Sequence, residues 1–394
     1  MPDNEWQQQH LGAIAHILLG QSPPGDTIHE NGKGIPFLQG NAEFGSSTPI
    51  AKFICTRPIK VCRAGDSLIS VRAPVGAVNH ANQAYAIGRG LAAITFHGVD
   101  PRFGHWSLKA HSDKLHRVAQ GTTFEAVGQN ELAQLELPIP PDRNEQRRIA
   151  EILDTLDAKI SIVELIINKL QAVTRAVAEE MISSVTTEKT SLGTHLSQRP
   201  KNGFSPKEVE EWTGMQALGL SCLTPHGFEP RQLKNIPAHD IRNIPALLND
   251  GDLLMSRANT LDLVGLVGIY RDVGSPCIYP DLMMRLTPIE SCRAEYLELL
   301  LQSNDVRRQI RSIAQGTSES MVKINGSSVC RLQVAVPSLD EQDRILTVVN
   351  TFRNEIRTKK REHTKLITLK QGLMKDLLTG QTRVSQAEDV LENI

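Results

Sequence analysis

The sequence predicts an α+β fold: two globular domains separated by two long helices that pair as an antiparallel coiled coil with pseudo-twofold symmetry. One observation is that a long helix-forming passage occurs twice, because Glu145-Gln146 recurs as Glu341-Gln342, 196 residues later. The other is that each copy follows a region of short apolar runs broken by Gly and Pro. A repeat this long in a chain of 394 residues indicates two tandem halves and excludes a solenoid of short units.

Composition restricts the class of protein without identifying its partners. Hydrophobic residues make up 40% of the chain, which is enough to give each half a core. The amino terminus lacks the basic start and apolar stretch of a secretory signal, and no run of eighteen apolar residues occurs. The six cysteines form no C-x-x-C pair, so we expect a cytoplasmic protein with free thiols. A net charge of −1 still allows a local basic surface that contacts DNA.

The first globular domain is predicted to span residues 1–140. Apolar runs at 67–71, 84–87 and 91–96 are typical of strands, and a weaker helical pattern covers Phe103 to Val118. Two short motifs in this domain recur later in the chain: Gly65-Asp66 before the first strand, and Ala119-Gln120-Gly121-Thr122 after the helix.

The first spacer helix is predicted over residues 141–185. Pro140 and Pro141 prevent helix before it, and Asp142 or Asn144 is suited to cap its start. Apolar residues alternate at four-residue and three-residue spacing, which is the seam of a coiled coil. The predicted helix-pairing residues of this copy are Ile149, Leu153, Leu156, Ile160, Val163, Ile167 and Leu170.

The second globular domain is predicted over residues 186–336. Strands are expected at 252–256, 263–270 and 283–286, followed by a helix from Ala294 to Ile313. Gly251-Asp252 repeats the first short motif after 186 residues, and Ala314-Gln315-Gly316-Thr317 repeats the second after 195. The change in spacing places the loop insertions in the globular parts.

The second spacer helix is predicted over residues 337–384, with a C-terminal tail at 385–394. Its pairing residues are Ile345, Val349, Phe352, Ile356, Leu366, Leu373 and Leu377. Lys359, His363 and Lys370 interrupt this seam. Either they fix the register of the pair, or the helix rotates locally and Ile367 and Leu369 make the contact. Pairing of the two copies within one chain is favoured over pairing in a homodimer, because the halves are alike.

The motifs in this order, found twice, resemble the specificity (S) subunit of a type I DNA restriction-modification system over essentially the whole chain. The resemblance rests on Leu137-Pro138-Ile139-Pro140-Pro141 before Glu145-Gln146, and on Val336-Pro337 before Glu341-Gln342. It implies a non-catalytic protein in which each globular domain reads one half of a split, asymmetric DNA target. The spacer helices, each roughly 60 Å long by rise per residue, would set the distance between the halves.

The resemblance also implies the partners and where the chemistry lies. These are double-stranded DNA, two methyltransferase subunits assembled on the helices, and restriction (motor-nuclease) subunits, with no membrane involved. Adenine methylation from S-adenosylmethionine, and any use of ATP and Mg, would belong to those subunits, so this chain is expected to bind no cofactor itself. A specificity subunit of a related methylase-nuclease fusion system is a close alternative.

Basic residues in loops are the candidates for DNA contact. Arg72 and Arg257 follow the repeated strand, although the two positions differ by one residue; the alternative for each is a surface arginine that braces its loop. Further candidates, for which solvated charge is the alternative, are Arg57, Lys60, Arg89, Arg199, Lys201, Arg231 and Lys234. A basic stretch on the second spacer helix, which includes Arg353, Arg357 and Lys360, is predicted to form its charged outer face, with contact to phosphates or a partner as the alternative.

Signals of catalysis are missing from the sequence. It contains neither the Asn-Pro-Pro-Tyr tetrad of amino-methyltransferases nor a G-x-x-x-x-G-K-[ST] phosphate loop. His105, His111 and His116 lack the regular spacing of a zinc site, so no metal is expected. Two other functional classes stay open at this point: a self-contained methyltransferase or nuclease with unfamiliar motifs, and a coiled-coil scaffold without DNA contact.

Overall fold

The computed structural model describes residues 6–115, 126–316, 321–382 and 384–392. The chain forms two compact units: unit 1 is Met1–Glu164 with Arg361–Ile394, and unit 2 is Leu165–Lys360. Each unit contains one globular region of strands and short helices together with one segment of each long helix. The predicted α+β class, with two globular parts and two long helices, is confirmed.

The described helices are few and two of them are long. In chain order they are α1 (Leu11–Ile14), α2 (Pro101–His111), α3 (Gln129–Ala133), α4 (Arg143–Ser183), α5 (Ala294–Gln302), α6 (Asn304–Ile313), α7 (Gly326–Cys330), α8 (Leu339–Leu377) and α9 (Val384–Glu392). The first spacer helix is α4 and the second is α8. None of the described helices has the length and apolar character needed to cross a membrane.

Short strands make up the globular regions. Those of unit 1 are β1 (Gln7–His10), β2 (Ala15–Leu19), β3 (Ile28–His29), β4 (Ile35–Leu38), β5 (Phe53–Cys55), β6 (Val61–Cys62), β7 (Ser67–Ser70), β8 (Val78–His80), β9 (Tyr85–Ile87), β10 (Leu91–Phe96) and β11 (Glu136–Ile139). Those of unit 2 are β12 (Thr190–Ser191), β13 (Lys201–Asn202), β14 (Gln216–Leu218), β15 (Leu223–Thr224), β16 (Gly227–Phe228), β17 (Leu233–Asn235), β18 (Leu253–Ser256), β19 (Ala258–Asn259), β20 (Val267–Ile269), β21 (Cys277–Ile278), β22 (Met283–Leu286), β23 (Val322–Lys323) and β24 (Gln333–Val334).

Each unit is built around a four-stranded antiparallel sheet of the same order. It is β2-β10-β7-β8 in unit 1 and β13-β22-β18-β20 in unit 2. All six predicted strand segments contain one of the observed strands, although the segment predicted at 263–270 shortens to β20. A second sheet in each unit includes one parallel pair, β4 with β9 and β14 with β21. The repeat in the sequence is therefore a repeat of topology.

The repeated Gly-Asp motif forms the turn that leads into β7 and β18. Gly65 and Gly251 have φ values of 93° and 94°, a conformation that glycine adopts without a steric penalty. The carboxylate of Asp66 accepts a hydrogen bond from the Arg63 N–H at 2.7 Å, and that of Asp252 accepts one from the Asn249 N–H at 2.9 Å. The turn therefore accounts for both residues of the motif: the glycine adopts the positive φ, and the aspartate accepts the backbone hydrogen bond.

The helical stretch predicted from Ala294 to Ile313 is interrupted. Ser303 has an extended backbone (φ −61°, ψ 152°) and separates α5 from α6, while its hydroxyl donates to the Leu300 carbonyl at 2.7 Å. Its counterpart in unit 1, α2, is capped by Asp100, whose carboxylate accepts from the N–H groups of residues 102 and 103. Part of the predicted Phe103–Val118 helix and the Ala119–Thr122 motif lie outside the described residues, as does Thr317.

The repeated glutamine fastens the start of each spacer helix to its globular region. The Gln146 amide donates to the Pro140 carbonyl and accepts from the Asp100 N–H, both at 2.8 Å. The Gln342 amide donates to the Pro337 carbonyl and accepts from the Arg293 N–H, also at 2.8 Å. Both glutamines are buried, with 3% and 0% of their surface exposed. The repeated Glu-Gln motif therefore anchors the helix starts through its glutamine.

The second spacer helix is shorter than the predicted 337–384. It ends at Leu377, and Gly380 follows with φ 74°. The segment predicted as a tail instead forms α9, and its Glu388 makes a hydrogen-bonded ion pair with Arg148 of α4 in unit 1.

Segments of the two spacer helices pack together in each unit. In unit 1, Asp157 of α4 forms an ion pair with Lys370 of α8. In unit 2, Ala178 of α4 shares a hydrophobic cluster with Val349 of α8. The earlier part of α4 thus contacts the later part of α8, and the later part of α4 the earlier part of α8, which is the order of an antiparallel pair.

The predicted helix-pairing residues differ in burial. Those that are buried are Ile149, Leu153, Leu156, Val163, Ile167, Ile345, Val349, Leu366, Leu373 and Leu377. Those that are half-buried are Ile160, Leu170, Phe352 and Ile356. Lys370 stays in the seam, where its ammonium lies 4.6 Å from the centre of the Trp106 ring in addition to its ion pair with Asp157. At this position the polar residue is accommodated by specific partners.

Candidate nucleic-acid interface

In unit 2 the segment after β18 is joined through β23 to Gln315 of the second repeated motif, while the Gly251-Asp252 motif lies at the other end of β18. Arg257 follows β18 directly; its backbone N–H donates to the Leu282 carbonyl at 2.8 Å, and its carbonyl accepts from the Ile324 N–H at 2.9 Å. The next residues, β19, pair with β23 so that Ala258 lies opposite Lys323. Gln315 of the second motif exchanges two hydrogen bonds with Lys323, at 2.9 and 2.8 Å. Backbone pairing therefore joins segments that are almost sixty residues apart in the chain.

The Arg257 side chain is held but incompletely hydrogen-bonded. Its Nη1 donates to the Asp281 carbonyl at 3.4 Å, which is a long hydrogen bond. Its Nε is buried and has no acceptor among the described residues. Since a buried donor without a partner is costly, this guanidinium has spare capacity for an acceptor on a ligand.

Further basic residues lie near this end of unit 2. Lys323 is exposed and lies opposite Ala258, so its side chain projects from the other face of the strand from Arg257. The Arg199 side chain lies near Gly326, three residues after Lys323. Lys201, also exposed, lies in β13 at the edge of the same sheet. Arg199, Lys201 and Arg257 were predicted from the sequence as DNA contacts. Lys323 was missed because no motif marks it; only its pairing with Ala258 places it here.

The hydrogen-bond register shows that Arg72 and Arg257 occupy different positions. In unit 1 the Val71 N–H donates to the Gly90 carbonyl and the Val71 carbonyl accepts from the Val127 N–H, both at 2.9 Å. These are the bonds that Arg257 makes in unit 2, so Arg257 corresponds to the buried Val71. Arg72, which is exposed and bridges to Ala126, corresponds to Ala258. The two units thus present arginines from opposite sides of an equivalent strand.

In unit 1 Arg72 and Arg89 are brought into neighbouring loops. The hydrogen bond between Val71 and Gly90 places the Arg72 loop beside the Gly88-Arg89-Gly90 turn. The Arg89 N–H donates to the Ser22 hydroxyl at 3.3 Å, so the loop that follows β2 reaches this turn. A Cβ at Gly20 would collide with the Gly88 carbonyl, which explains the glycine there. Both arginine side chains are exposed.

The remaining candidates lie elsewhere. Arg57 forms an exposed ion pair with Asp26 at 3.0 Å. Arg231 donates to Glu229 and Lys234 to Glu208, each at 2.8 Å. Lys60 is half-buried, and its carbonyl accepts from the Ile87 N–H at 3.0 Å, just before the Arg89 turn. Ion pairing leaves Arg57, Arg231 and Lys234 less available for phosphate than the unpaired cations described above.

The titratable groups of the described residues show no arrangement typical of catalysis. Burial raises the pKa of Cys62 and of Cys292 to about 11 and that of Cys277 to about 12, which disfavours the reactive thiolate. Burial, followed by the nearby charge of Lys109, lowers the pKa of His105 to about 3, and its Nδ1 bonds the Ser67 hydroxyl at 3.0 Å. Within the described ranges, no group of three or more His, Cys, Asp or Glu side chains is placed to hold a metal.

Part of the chain matches a known family. Residues 3–172 match the family described as the type I restriction modification DNA specificity domain. A putative type I restriction enzyme specificity subunit from Methanocaldococcus jannaschii is 40% identical over 162 residues, which cover 40% of this chain and 38% of that protein. The EcoKI specificity subunit from Escherichia coli is 26% identical over 275 residues, covering 64% of this chain and 58% of the relative. The matches thus span less than two thirds of these two relatives.

Solved structures share the fold over nearly the whole chain. The S subunit of a type I restriction-modification system from M. genitalium has a TM-score of 0.57 at 16% identity, covering 96% of this chain and 97% of that one. A second chain, from work on complex assembly and conformational transition of a type I system, has a TM-score of 0.54 at 16% identity, covering 96% and 98%. The resemblance that the repeated motifs indicated is confirmed for residues 3–172, which match the type I restriction modification DNA specificity domain.

Proposed function

We propose that this chain is the DNA-reading subunit of a type I restriction-modification system. Its two globular regions each read one half of a split, asymmetric target, and the chain itself carries out no catalysis. The observation that carries the proposal is the junction beside the end of β18 in unit 2, where the segment that carries Arg257 pairs with the segment that carries Lys323 and the buried Arg257 Nε has no acceptor among the described residues. Arginine and lysine are the side chains that most often read guanine and contact phosphate.

The partners follow from the same family. Two methyltransferase subunits would assemble on α4 and α8, and restriction subunits would join that complex. Methylation of adenine with S-adenosylmethionine, and the use of ATP and Mg, would take place in those subunits. In this chain the buried thiols and the neutral His105 offer no nucleophile or general base at an open site.

Genome-wide mapping of methylated adenines tests the proposal. The host strain is compared with a strain that lacks this gene, and with a strain that carries it with residues 186–336 exchanged for those of another specificity subunit. The expected result is a split methylated motif that disappears in the deletion strain. In the exchange strain one half of the motif changes while the other half is retained.

A binding assay with the assembled methyltransferase complex separates DNA reading from scaffolding. A duplex with the mapped split site should bind more tightly than a duplex in which either half is scrambled. Equal affinity for the three duplexes, together with unchanged methylation in the deletion strain, would leave a coiled-coil scaffold as the better description. Methyl transfer by the purified chain alone would instead establish a self-contained enzyme.

A further inference from the structure

Unit 2 contains a cavity of about 500 Å³ beside the segments of α4 and α8. Its apolar wall is formed by Phe228 of β16, Ile269 of β20 and Leu299 of α5. Polar side chains of both spacer helices also line it, among them Thr174 and Asn354. A volume of this size is typical of sites for small organic ligands.

The corresponding place in unit 1 is filled by side chains. The glutamine anchors show which residues of the two units correspond. Matching Asp100 with Arg293 aligns α2 with α5, so Leu299 occupies the position of Trp106. Matching Gln146 with Gln342 aligns α4 with α8, so Thr174 of α4 occupies the position of Lys370 of α8. In unit 1 the Lys370 ammonium lies over the Trp106 ring at 4.6 Å. The cavity of unit 2 therefore results from two replacements by smaller residues at defined positions.

Most charges on the cavity wall are already paired. Glu298 is almost fully buried and bonds Arg353 at 2.8 Å. Glu229 pairs with Lys360 at 2.7 Å, and Arg271 pairs with Asp250 at 3.0 Å. By contrast, Arg175 of α4 and Arg357 of α8 have no ion pair or hydrogen bond with any of the described residues.

The two other carboxylates of the wall lie at helix starts. Glu179 accepts a hydrogen bond from the N–H of Asn304, the first residue of α6, at 2.9 Å. Glu295 is in the first turn of α5. Because the positive end of a helix dipole offsets a nearby negative charge, these carboxylates compete little for the two arginines.

The end of the cavity near the β15–β16 turn is electropositive. The pKa of His226 is lowered by burial and then by Arg175; Glu229 opposes this shift, and Lys360 and Arg231 add smaller lowering effects. This end is also remote from the candidate DNA-contacting loop. Ile269, on the cavity wall, pairs with Leu253 at the start of β18, whereas Arg257 follows the other end of that strand.

We propose that this cavity binds a phosphate monoester with a flat apolar body, its phosphate paired with Arg175 and Arg357 and its body against Phe228, Ile269 and Leu299. The guanidinium group matches the phosphate oxygens in a forked geometry that an ammonium cannot reproduce. The apolar wall supplies the contact for the ring, and the amides of Asn350 and Asn354 are available to its polar edge. The proposal does not depend on DNA reading.

Titration calorimetry of the full chain with phenyl phosphate tests this site, with phenol and inorganic phosphate as the partial ligands. Phenyl phosphate is expected to bind at least tenfold more tightly than either partial ligand, because only it contacts both the apolar wall and the two arginines. The double variant Arg175→Gln/Arg357→Gln should weaken it at least tenfold. The variant Leu299→Trp, which places in unit 2 the residue found in unit 1, should also abolish binding by filling the cavity.

Arg331→Gln is the matched control, since this exposed arginine of unit 2 lies away from the cavity and its side chain makes no contact among the described residues. It should leave the affinity for phenyl phosphate unchanged. The proposal would be overturned if phenyl phosphate bound no more tightly than inorganic phosphate. It would also be overturned if Arg331→Gln lost as much affinity for phenyl phosphate as the double arginine variant. Both arginine replacements are at exposed positions, so the test stands even if Leu299→Trp fails to fold.

Discussion

At the scale of single residues, the clearest repeated device is the buried glutamine that starts each spacer helix. Gln146 and Gln342 each join a proline carbonyl to the N–H that begins a neighbouring helix, with the same 2.8 Å distances. Sequence alone marks both residues through the repeat. It does not reveal their partners, Asp100 and Arg293, because no sequence pattern connects a helix start to a cap some fifty residues earlier.

Replacing Gln342 with Ala should lower the free energy of unfolding by about 2–4 kcal/mol. Two or three buried backbone groups lose their hydrogen-bond partners, at about 1–3 kcal/mol each, and water that enters the site offsets part of this cost. Chemical denaturation monitored by circular dichroism measures this change. Arg147→Ala, at an exposed position next to the other anchor, should stay within about 0.5 kcal/mol of the native protein. A cost for Gln342→Ala no larger than that of this control would contradict the anchoring role.

Arg257 and Lys323 are expected to act differently on DNA. Arg257→Lys keeps the charge but loses the forked donor, so affinity for the mapped site should fall by about 1–3 kcal/mol while non-specific binding is retained. Lys323→Ala should weaken binding to the mapped site and non-specific binding alike. It should also lower the slope of log affinity against log salt concentration by about one, as expected for the loss of one phosphate contact. Fluorescence anisotropy over a range of salt concentrations distinguishes these results. Identical behaviour of the two variants would rule out base reading by Arg257.

At the scale of elements, the two spacer helices carry the same pattern with different buried charges. In unit 1 Asp157 of α4 pairs with Lys370 of α8, while in unit 2 the residue corresponding to Asp157 is Arg353, which pairs with Glu298 of α5. The charged residue at this helix position therefore pairs with the other spacer helix in unit 1 and with α5 in unit 2. A swapped or shifted pairing would leave at least one of these charges buried without a counter-charge, which is unfavourable.

Removing Lys370 tests this arrangement and its pH dependence. Burial alone would raise the pKa of Asp157, but the hydrogen bond and charge of Lys370 bring it below its ordinary value. A folded-state pKa below the unfolded value contributes stability above about pH 4, and this contribution is lost as the pH falls through the folded value. Lys370→Met should cost about 2–3 kcal/mol at neutral pH and should flatten the loss of stability in acid.

The double variant Asp157→Leu/Lys370→Met provides the control for that experiment. Because it removes both charges, it should recover part of the stability lost in Lys370→Met. Urea denaturation at pH 7 and at pH 3 measures both effects. An acid profile of Lys370→Met that parallels the native one would show that the ion pair does not control the pKa of Asp157.

The elements themselves were largely predictable, and the exceptions have local causes. The long helices and the strands β7, β10, β18, β20 and β22 follow from apolar periodicity and from Gly and Pro positions, whereas β2, β8 and β13 of the same sheets were not predicted. Periodicity did not detect the break at Ser303, because a single extended residue between two amphipathic helices leaves the apolar spacing almost intact. The correspondence of Arg257 with Val71 was also out of reach, since strand register depends on hydrogen bonds between distant segments.

At the scale of the whole molecule, the proposed function treats α4 and α8 as a spacer between two reading regions. With 41 and 39 residues, both helices are about 60 Å long. A rod of this length is comparable with nearly two turns of DNA at about 34–36 Å per turn. The length of the helices, and not the sequence of either globular region, should then determine the unread gap in the target.

Inserting four residues into each spacer helix should lengthen the gap and leave both half-site sequences intact. Four residues add about 6 Å of helix, which is close to two base pairs at about 3.4 Å each. Mapping of methylated adenines in a strain that carries the lengthened chain measures the result. A change in either half-site, with the gap retained, would show that the helices do not set the spacing.

The pairing of the first and last strands of each globular region has a consequence for how new specificities arise. In unit 1, β1 pairs with β11, so the chain enters and leaves the globular region at adjacent points; in unit 2, β12 pairs with β24 in the same way. A region whose ends are adjacent can be replaced by another of different internal sequence without a change in the helix that follows. Each globular region is in this sense a cassette, and recombination at the strand pairs β1–β11 or β12–β24 would exchange a reading surface in a single step.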